Sequence, residues 1–357
     1  MEQMYKEGDT LIKPDCYTYN AVLNAWSKSG EIDAAERAEI ILDRMLKDAK
    51  IEPDVFTYTT VIASLKGSGR NSVKRSLELL STMQKGGMLV RPNRYTFTTL
   101  INVIGKSGDS NAENLCLMMI EYMKELYLGG DQNSRPNILT ANGILGCLAR
   151  GRGLNSALEM DRMLKRMRQP IEKGGFNIRP DSISYNIAIQ FFCRQNSMES
   201  ILRALGLLEE MKKDHIQPGL NQYNYIIIAL NKLHHEDSAK LANSIVQKMI
   251  TSYEAGEKYA VPPDSVTFNA LINTISRGKG LETAKLAEKL ITQMHHLHHS
   301  NSYENVKPNV RSFAAVLQAW ARSGQTKTAA YRAEEIIHRM EELYEVGELE
   351  LPPDVYW

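Results

Sequence analysis

Cysteine is scarce: there are four in 357 residues, Cys16, Cys116, Cys147 and Cys193, and no CxxC pair among them. Scattered thiols of this kind build no disulfide framework, and they fit a reducing compartment. Net charge is nearly absent as well, 43 Lys+Arg standing against 42 Asp+Glu, with an isoelectric point near 7.7. A whole-chain basic footprint for nucleic acid is therefore missing, so any basic surface must be local. No run approaches the ~18 uninterrupted apolar residues of a membrane span. There is no Gly-rich phosphate loop, no HExxH, and no nucleophile beside a base in a recognisable local motif. The segment is expected to be no enzyme, with no catalytic residue, no cofactor, no membrane and no small-molecule substrate; a catalytic domain would have to lie outside it.

What the chain does have is one unit, repeated. The stretch Pro14 to Met45, PDCYTYNAVLNAWSKSGEIDAAERAEIILDRM, places Tyr19, Val22, Leu23 and Trp26 at i, i+3, i+4 and i+7, the spacing of one helical face. Ser29-Gly30 interrupts that pattern as a helix end does. Ala35, Ala38, Ile41 (or Leu42) and Met45 then mark a second helix, with small residues at its start where a neighbour can approach closely. Aligning on the proline before the first helix gives Pro14, Pro53, Pro92, Pro136, Pro180, Pro218, Pro263, Pro308 and Pro353, at intervals of 39, 39, 44, 44, 38, 45, 45 and 45 residues. Asp or Asn, both preferred N-caps, follows each proline except Pro218, which is followed by Gly219.

Four residues past the cap comes an aromatic core position, Tyr19, Tyr58, Phe97, Tyr185, Tyr223, Phe268 or Phe313, with Ala141 the departure. Each second helix closes on a methionine: Met45, Met83, Met123, Met167, Met211, Met249, Met294 or Met340. Hairpins that bury their apolar faces only against their neighbours stack into a solenoid. The expected fold is all-α: an α-solenoid, a right-handed superhelix of eight tandem helix-turn-helix repeats over residues 14–352, starting near 14, 53, 92, 136, 180, 218, 263 and 308. Residues 1–13 read as the end of a preceding repeat and a linker, and 353–357 as the start of a further one, so the chain reads as a segment of a longer array. No signal or transit peptide is visible in it.

The pattern P-[DN]-x-x-[TS]-[YF]-N-x-L-I, a short turn, A-x-x-x-L and then Met resembles the pentatricopeptide repeat, with longer repeats than that family usually has. The resemblance implies sequence-specific binding of single-stranded RNA, one base per repeat on the concave face. It also implies a place in organellar RNA processing, stability or translation, in a mitochondrion or plastid. In the family, the residue after the aromatic contacts one base together with the residue that ends the repeat. Here the first set is Asn20, Thr59, Thr98, Asn142, Asn186, Asn224, Asn269 and Ala314, and the second is Asp54, Asn93, Asn137, Asp181, Gly219, Asp264, Asn309 and Asp354.

Asn and Thr are mediocre helix formers, so their recurrence inside a helix asks for a reason. Capping alone accounts for the Asp and Asn after each proline, and an Asn ladder between stacked helices is the structural alternative for the rest. If the pairs do read bases, an ionised Asp can only accept and suits the central N–H of uracil. Asn can donate and suits adenine, while Thr, shorter than Asn, leaves room for a purine.

Three residues before the reading position stand Tyr17, Phe56, Tyr95, Leu139, Ile183 and Val266, which the resemblance makes base wedges; Asn221 and Arg311 depart from that apolar pattern, so repeats six and eight should grip more weakly. Eight residues after it stand Lys28, Lys106, Arg150, Arg194, Lys232, Arg277 and Arg322, with Gly67 the gap and Lys66 beside it. Two helical turns bring these cations back beside the same surface, where they can meet phosphates; a helix C-terminus favours cations in any case. His295, His296, His298 and His299 have spacing that can bring two imidazoles to a metal, but they are expected to form a histidine-rich linker, and no metal ligand is assigned. The alternative to RNA binding is a protein-interaction scaffold of the tetratricopeptide type. Such a scaffold would carry variable, aromatic contact residues where this chain has its Asn/Thr column, and protein partners beside RNA stay open.

Overall fold

The structure is a computed structural model that describes residues 14–48, 51–67, 69, 71–85, 90–151, 154–300, 303, 305–324 and 326–350. The stretches read as a preceding and a following repeat, 1–13 and 353–357, and with them Asp354, lie outside the described residues.

Among the described residues eight helix pairs follow one another: α1 (Cys16–Ser29) and α2 (Ala34–Lys47), α3 (Val55–Ser64) and α4 (Asn71–Lys85), α5 (Arg94–Lys106) and α6 (Ala112–Leu128), α7 (Ile138–Leu148) and α8 (Leu154–Arg168). Then come α9 (Ser182–Arg194) and α10 (Met198–Lys213), α11 (Leu220–Leu233) and α12 (Ser238–Glu254), α13 (Ser265–Ser276) and α14 (Leu281–His299), α15 (Val310–Ala321) and α16 (Thr326–Glu345). The chain forms two compact units that divide within α9, between Ile187 and Ala188. In the first unit α1, α3, α5 and α7 stack in turn, as α11, α13 and α15 do in the second, and the even helices pack against odd helices beside them. Each unit is thus an all-α solenoid. Among the described residues no helix is long and apolar enough to cross a membrane.

Local chemistry sets the helix starts. Asp15, Asp54, Asn93, Asp264 and Asn309 each accept the backbone N–H three residues on, and the Thr or Ser at that place returns a bond to the cap backbone. That reciprocal pair satisfies donors a helix start would otherwise leave unpaired, a contribution of about 1 kcal/mol per cap. At Gly219 only half survives: the Gln222 side chain accepts the Gly219 N–H at 2.9 Å.

The core lies where the pattern placed it. Tyr58, Phe97, Ala141, Tyr185, Phe268 and Phe313 are buried, and the eight closing methionines are at most 4% exposed; Tyr19 and Tyr223 are half-buried. Val22, expected on the buried face of α1, is 44% exposed while Leu23 is fully buried, so the apolar stripe there is narrower than the spacing predicts.

The added length of the longer repeats is taken up in two ways. Helices α6, α12, α14 and α16 run on for about a turn beyond Met123, Met249, Met294 and Met340, because residues such as Ile250 and Leu297 continue the buried stripe. In the fourth repeat α8 stops at Arg168, and the extra residues fold into a short turn that buries Ile171 and Phe176. Both solutions place the added length after the closing methionine, on the even-helix side.

Candidate nucleic-acid interface

The reading positions face the start of the next repeat. Asn20 Nδ2 donates to Asp54 Oδ1 at 3.4 Å, and its Oδ1 accepts from the Thr57 hydroxyl at 2.8 Å. Asn142 repeats the arrangement, with Nδ2 3.1 Å from Asp181 Oδ1 and Oδ1 2.6 Å from Ser184 Oγ. So do Asn224 with Asp264 and Thr267, at 3.3 and 2.6 Å, and Asn269 with Asn309 and Ser312, at 3.4 and 2.5 Å. Asn186 sits half-buried at the equivalent place. The same carboxylate or amide oxygen also caps its own helix; Asp54 Oδ1, for instance, lies 2.8 Å from Thr57 N.

Capping and cross-repeat pairing are therefore one network. It fixes the flip of each Asn, because the amide N–H must point at the cap and the amide oxygen at the hydroxyl. The Thr57 hydroxyl lies 2.8 Å from Asn20 Oδ1 and 2.9 Å from Asp54 Oδ1, and its single proton serves one acceptor at a time.

Threonine repeats close differently. Thr59 Oγ1 meets Thr96 Oγ1 at 2.9 Å, and Thr98 Oγ1 meets Thr140 Oγ1 at 3.1 Å. The shorter side chain reaches the hydroxyl and stops short of the cap. Asn93 and Asn137 accept helix N–H groups through Oδ1, and among the described residues nothing takes their Nδ2 donors. An Asn/Asp pair thus presents acceptor capacity on the carboxylate, and a Thr/Asn pair presents a free donor.

Beside this polar column runs an exposed apolar one. Tyr17 is 82% exposed, Phe56 52%, Tyr95 64%, Leu139 54%, Ile183 58% and Val266 51%. Asn221 and Arg311 are exposed at the same position. Six such side chains facing water at one repeat position are more than scattered surface hydrophobics need. In the second unit a cavity of about 700 Å3 shows the spacing: Val266 and Arg311 line it, with Asn269, Asn309 and Ala314 among the other walls.

The cations all reach solvent: Lys28, Lys106, Arg150, Arg194, Lys232, Arg277 and Arg322 are exposed. Three of the four arginines have a second role that the sequence did not disclose. Arg150 Nη1 donates to Gly105 O at 2.8 Å, Arg277 Nη1 to Asn231 O, and Arg322 Nη1 to Ser276 O at 3.2 Å. Each acceptor is the carbonyl just before the preceding repeat's own track residue, Lys106, Lys232 or Arg277. A guanidinium has five donors, so one bond ties successive repeats together while others stay available. Lys66 fills the gap at Gly67: together with burial and Arg150 it holds the Lys106 ammonium below the usual lysine value, Lys66 being the largest cause.

Three family models match this chain: the PPR repeat family over residues 14–67, the pentatricopeptide repeat domain over 41–107, and the pentacotripeptide-repeat region of PRORP over 179–349. No curated protein matches. Among solved structures, the chain is similar to the pentatricopeptide repeat protein PPR10 in complex with an 18-nt psaJ RNA element, at 20% identity and a TM-score of 0.36, covering 94% of this chain and 50% of that one. A triple Cys-to-Ser form of PPR10 with the same RNA element matches with the same identity, coverage and score. The chain spans about half the length of these solved proteins. With the capped hairpins, the buried aromatic and methionine positions and the family matches together, the chain belongs to the pentatricopeptide repeat family.

Proposed function

We infer that this chain binds single-stranded RNA sequence-specifically, one base per repeat, along the face that carries the Asn/Thr column. The observation that carries the reading is the pairing of two columns: polar pairs fixed by the cap network, and exposed apolar side chains three residues earlier. A base is a flat apolar body with a polar edge. It stacks on Tyr17, Phe56 or Tyr95 and presents that edge to Asn20/Asp54, Thr59/Asn93 or Thr98/Asn137, with the cations left for the phosphates. In later repeats Asn142/Asp181, Asn186, Asn224/Asp264 and Asn269/Asn309 take the polar role, and Leu139, Ile183 and Val266 the apolar one. PPR10, which shares the repeat, was solved with an RNA element.

Within this reading the segment is a binder without catalytic residues of its own. The binding serves organellar RNA processing, stability or translation, in a mitochondrion or plastid.

The test is filter binding of single-stranded RNA against the same sequence as a duplex, with a Tyr17→Ala/Phe56→Ala/Tyr95→Ala variant in parallel. Single strands should win, and the triple variant should lose affinity by about 1–3 kcal/mol per stacked base while keeping its helical circular dichroism. A folded protein whose RNA affinity is untouched by the triple change would leave the scaffold reading in front.

A further inference from the structure

The histidine-rich stretch is not a linker: α14 runs through it to His299. Helical spacing puts His295 and His299 one turn apart on the same face, with Nε2 atoms 3.3 Å apart. Glu348, from the segment after α16, comes to the same point, its Oε2 3.3 Å from His295 Nε2 and its Oε1 3.6 Å from His299 Nε2.

The carboxylate is held there by backbone. Gly347 takes a left-handed φ of 75°, its N–H bonds to Tyr344 O at 3.0 Å, and Glu348 N–H bonds to Leu343 O at 2.8 Å. Those two bonds are the Schellman closure of a helix, and the next residue, Leu349, is buried at 4% exposure. Glu348 therefore approaches α14 from a locked turn.

Distances decide what the trio suits. Bonds of about 2.0–2.2 Å from zinc to imidazole nitrogen and carboxylate oxygen place neighbouring ligands roughly 3.3–3.5 Å apart at a tetrahedral centre, against about 2.8–3.1 Å at an octahedral one. The observed separations, 3.3 Å between the imidazole nitrogens and 3.3 and 3.6 Å from them to two different oxygens of the carboxylate, lie at or just above the tetrahedral values, and with one ligand atom from each residue all three fall within 4.8 Å of one another. Two imidazoles with one carboxylate also suit zinc and its transition-metal neighbours better than calcium or magnesium, which prefer oxygen sets.

We propose that His295, His299 and Glu348 form a three-ligand site for a zinc-class divalent ion, which staples the turn after α16 to the end of α14. Two even helices of adjacent repeats are then joined at their C-terminal ends. That is where these repeats are longest, the even helices running about a turn beyond their closing methionines. A fourth coordination position is left to water.

The probe is zinc alone, added to the whole chain after chelation and dialysis, followed by isothermal titration, by thermal unfolding, and by the visible spectrum of the cobalt(II)-loaded form. One ion per chain should bind, raise the unfolding midpoint, and give the intense d–d bands of four-coordinate cobalt. His295→Ala, His299→Ala and Glu348→Gln should each weaken binding by at least ~10-fold, the loss that changes around metal ligands alone can produce. His296→Ala, on the same helix but outside the trio, should not. The near-isosteric Glu348→Gln keeps the turn, and its own unfolding curve without metal shows that it folds. No stoichiometric zinc, equal loss in His296→Ala, or undiminished affinity in Glu348→Gln would overturn the site.

Discussion

Asn20 and Asp54 stand in successive repeats, yet Asn20 Nδ2 donates to Asp54 Oδ1 at 3.4 Å, the same oxygen that caps α3 through Thr57 N at 2.8 Å. One carboxylate thus starts a helix and fixes the residue proposed to read a base. The geometry of reading is inherited from the geometry of folding, and the first prediction takes its order of bases from these pairs and the pattern that the family resemblance implies. With RNA running 5′ to 3′ along the chain, the polarity that the family resemblance implies, the eight pairs should select U, A, A, U, any, U, C or U, any, the fifth being open because Gly219 has no side chain and the eighth because Ala314 has no polar group. Selection from random RNA checks this; enrichment without adenine at the second and third places would sink it.

The contrast between Asn and Thr repeats yields a specificity switch. Thr59 stops at the Thr96 hydroxyl, so the Asn93 amide keeps a donor for adenine. Thr59→Asn with Asn93→Asp should rebuild the bonding of Asn20 and Asp54 and turn the second repeat toward uracil, by about 1–2 kcal/mol on the scale of bidentate base contacts. Gel-shift competition between two RNAs differing at that base is the measurement. If Asn93 acts only as a cap, preference will not move, since Asp caps as well as Asn.

The sequence carried the fold because its signals are local: proline then Asp or Asn, an aromatic four residues on, Gly30 past the first helix, a buried methionine near the end. It was less informative about where the even helices stop, since the methionine marks the last shared core position and residues such as Leu297 continue the stripe beyond it. Bonds between repeats were hidden for a different reason. Arg150 to Gly105 O, or His295 to Glu348, joins residues whose separation is set by how hairpins stack, and no spacing within one repeat encodes it. The Asn–cap contacts were accessible only as paired positions inherited from the family, with the intervening Thr or Ser unsuspected.

Close packing at one of these contacts makes a stability prediction. Gly105 lies in α5 against α7, where an added Cβ would stand 3.2 Å from Cys147 Cβ and 3.2 Å from Arg150 Nη1. Ala is the better helix former by up to about 1 kcal/mol. Packing should outweigh that gain, because Cys147 is 2% exposed and has nowhere to retreat. Gly105→Ala should therefore destabilise the first unit by about 1–2 kcal/mol net in urea unfolding, and a stabilised variant would show that α7 can shift.

Lys66 and Lys106 crowd each other, and the sign of their effect can be followed. Lys66, then burial and Arg150, keep the Lys106 ammonium below its ordinary value of 10.5, so the charged form is disfavoured by folding. The repulsion is fully present at neutral pH, where the group is protonated in both states, and fades as pH rises toward that ordinary value. Lys66→Gln should accordingly raise the unfolding midpoint at pH 7, with the gain shrinking at high pH. If the pair faces a phosphate, the same substitution should weaken RNA binding. Opposite signs on the two measurements mark a functional cluster; a gain in stability with unchanged RNA affinity would mark a merely tolerated one.

The cation column divides by side chain, and that division is the sharpest test of its role. If Lys28, Lys106, Arg150, Arg194, Lys232, Arg277 and Arg322 each sit near a phosphate, binding should weaken with salt at a log–log slope of up to about −5, at roughly 0.7 per neutralised phosphate on a single strand. Each Gln substitution should lower that slope by less than one unit and weaken all RNA sequences alike, since phosphates carry no sequence information. Stability should set the three bridging arginines apart from the lysines. Arg150, Arg277 and Arg322 also hold a carbonyl of the preceding repeat, so Arg277→Gln or Arg322→Gln should cost about 1 kcal/mol of folding as well, the net worth of such a bond at an exposed site. Lys28→Gln and Lys232→Gln should leave the unfolding midpoint where it is. A lysine triple variant, Lys28→Gln/Lys106→Gln/Lys232→Gln, that binds RNA with an undiminished salt slope would show that the column serves the helix ends alone.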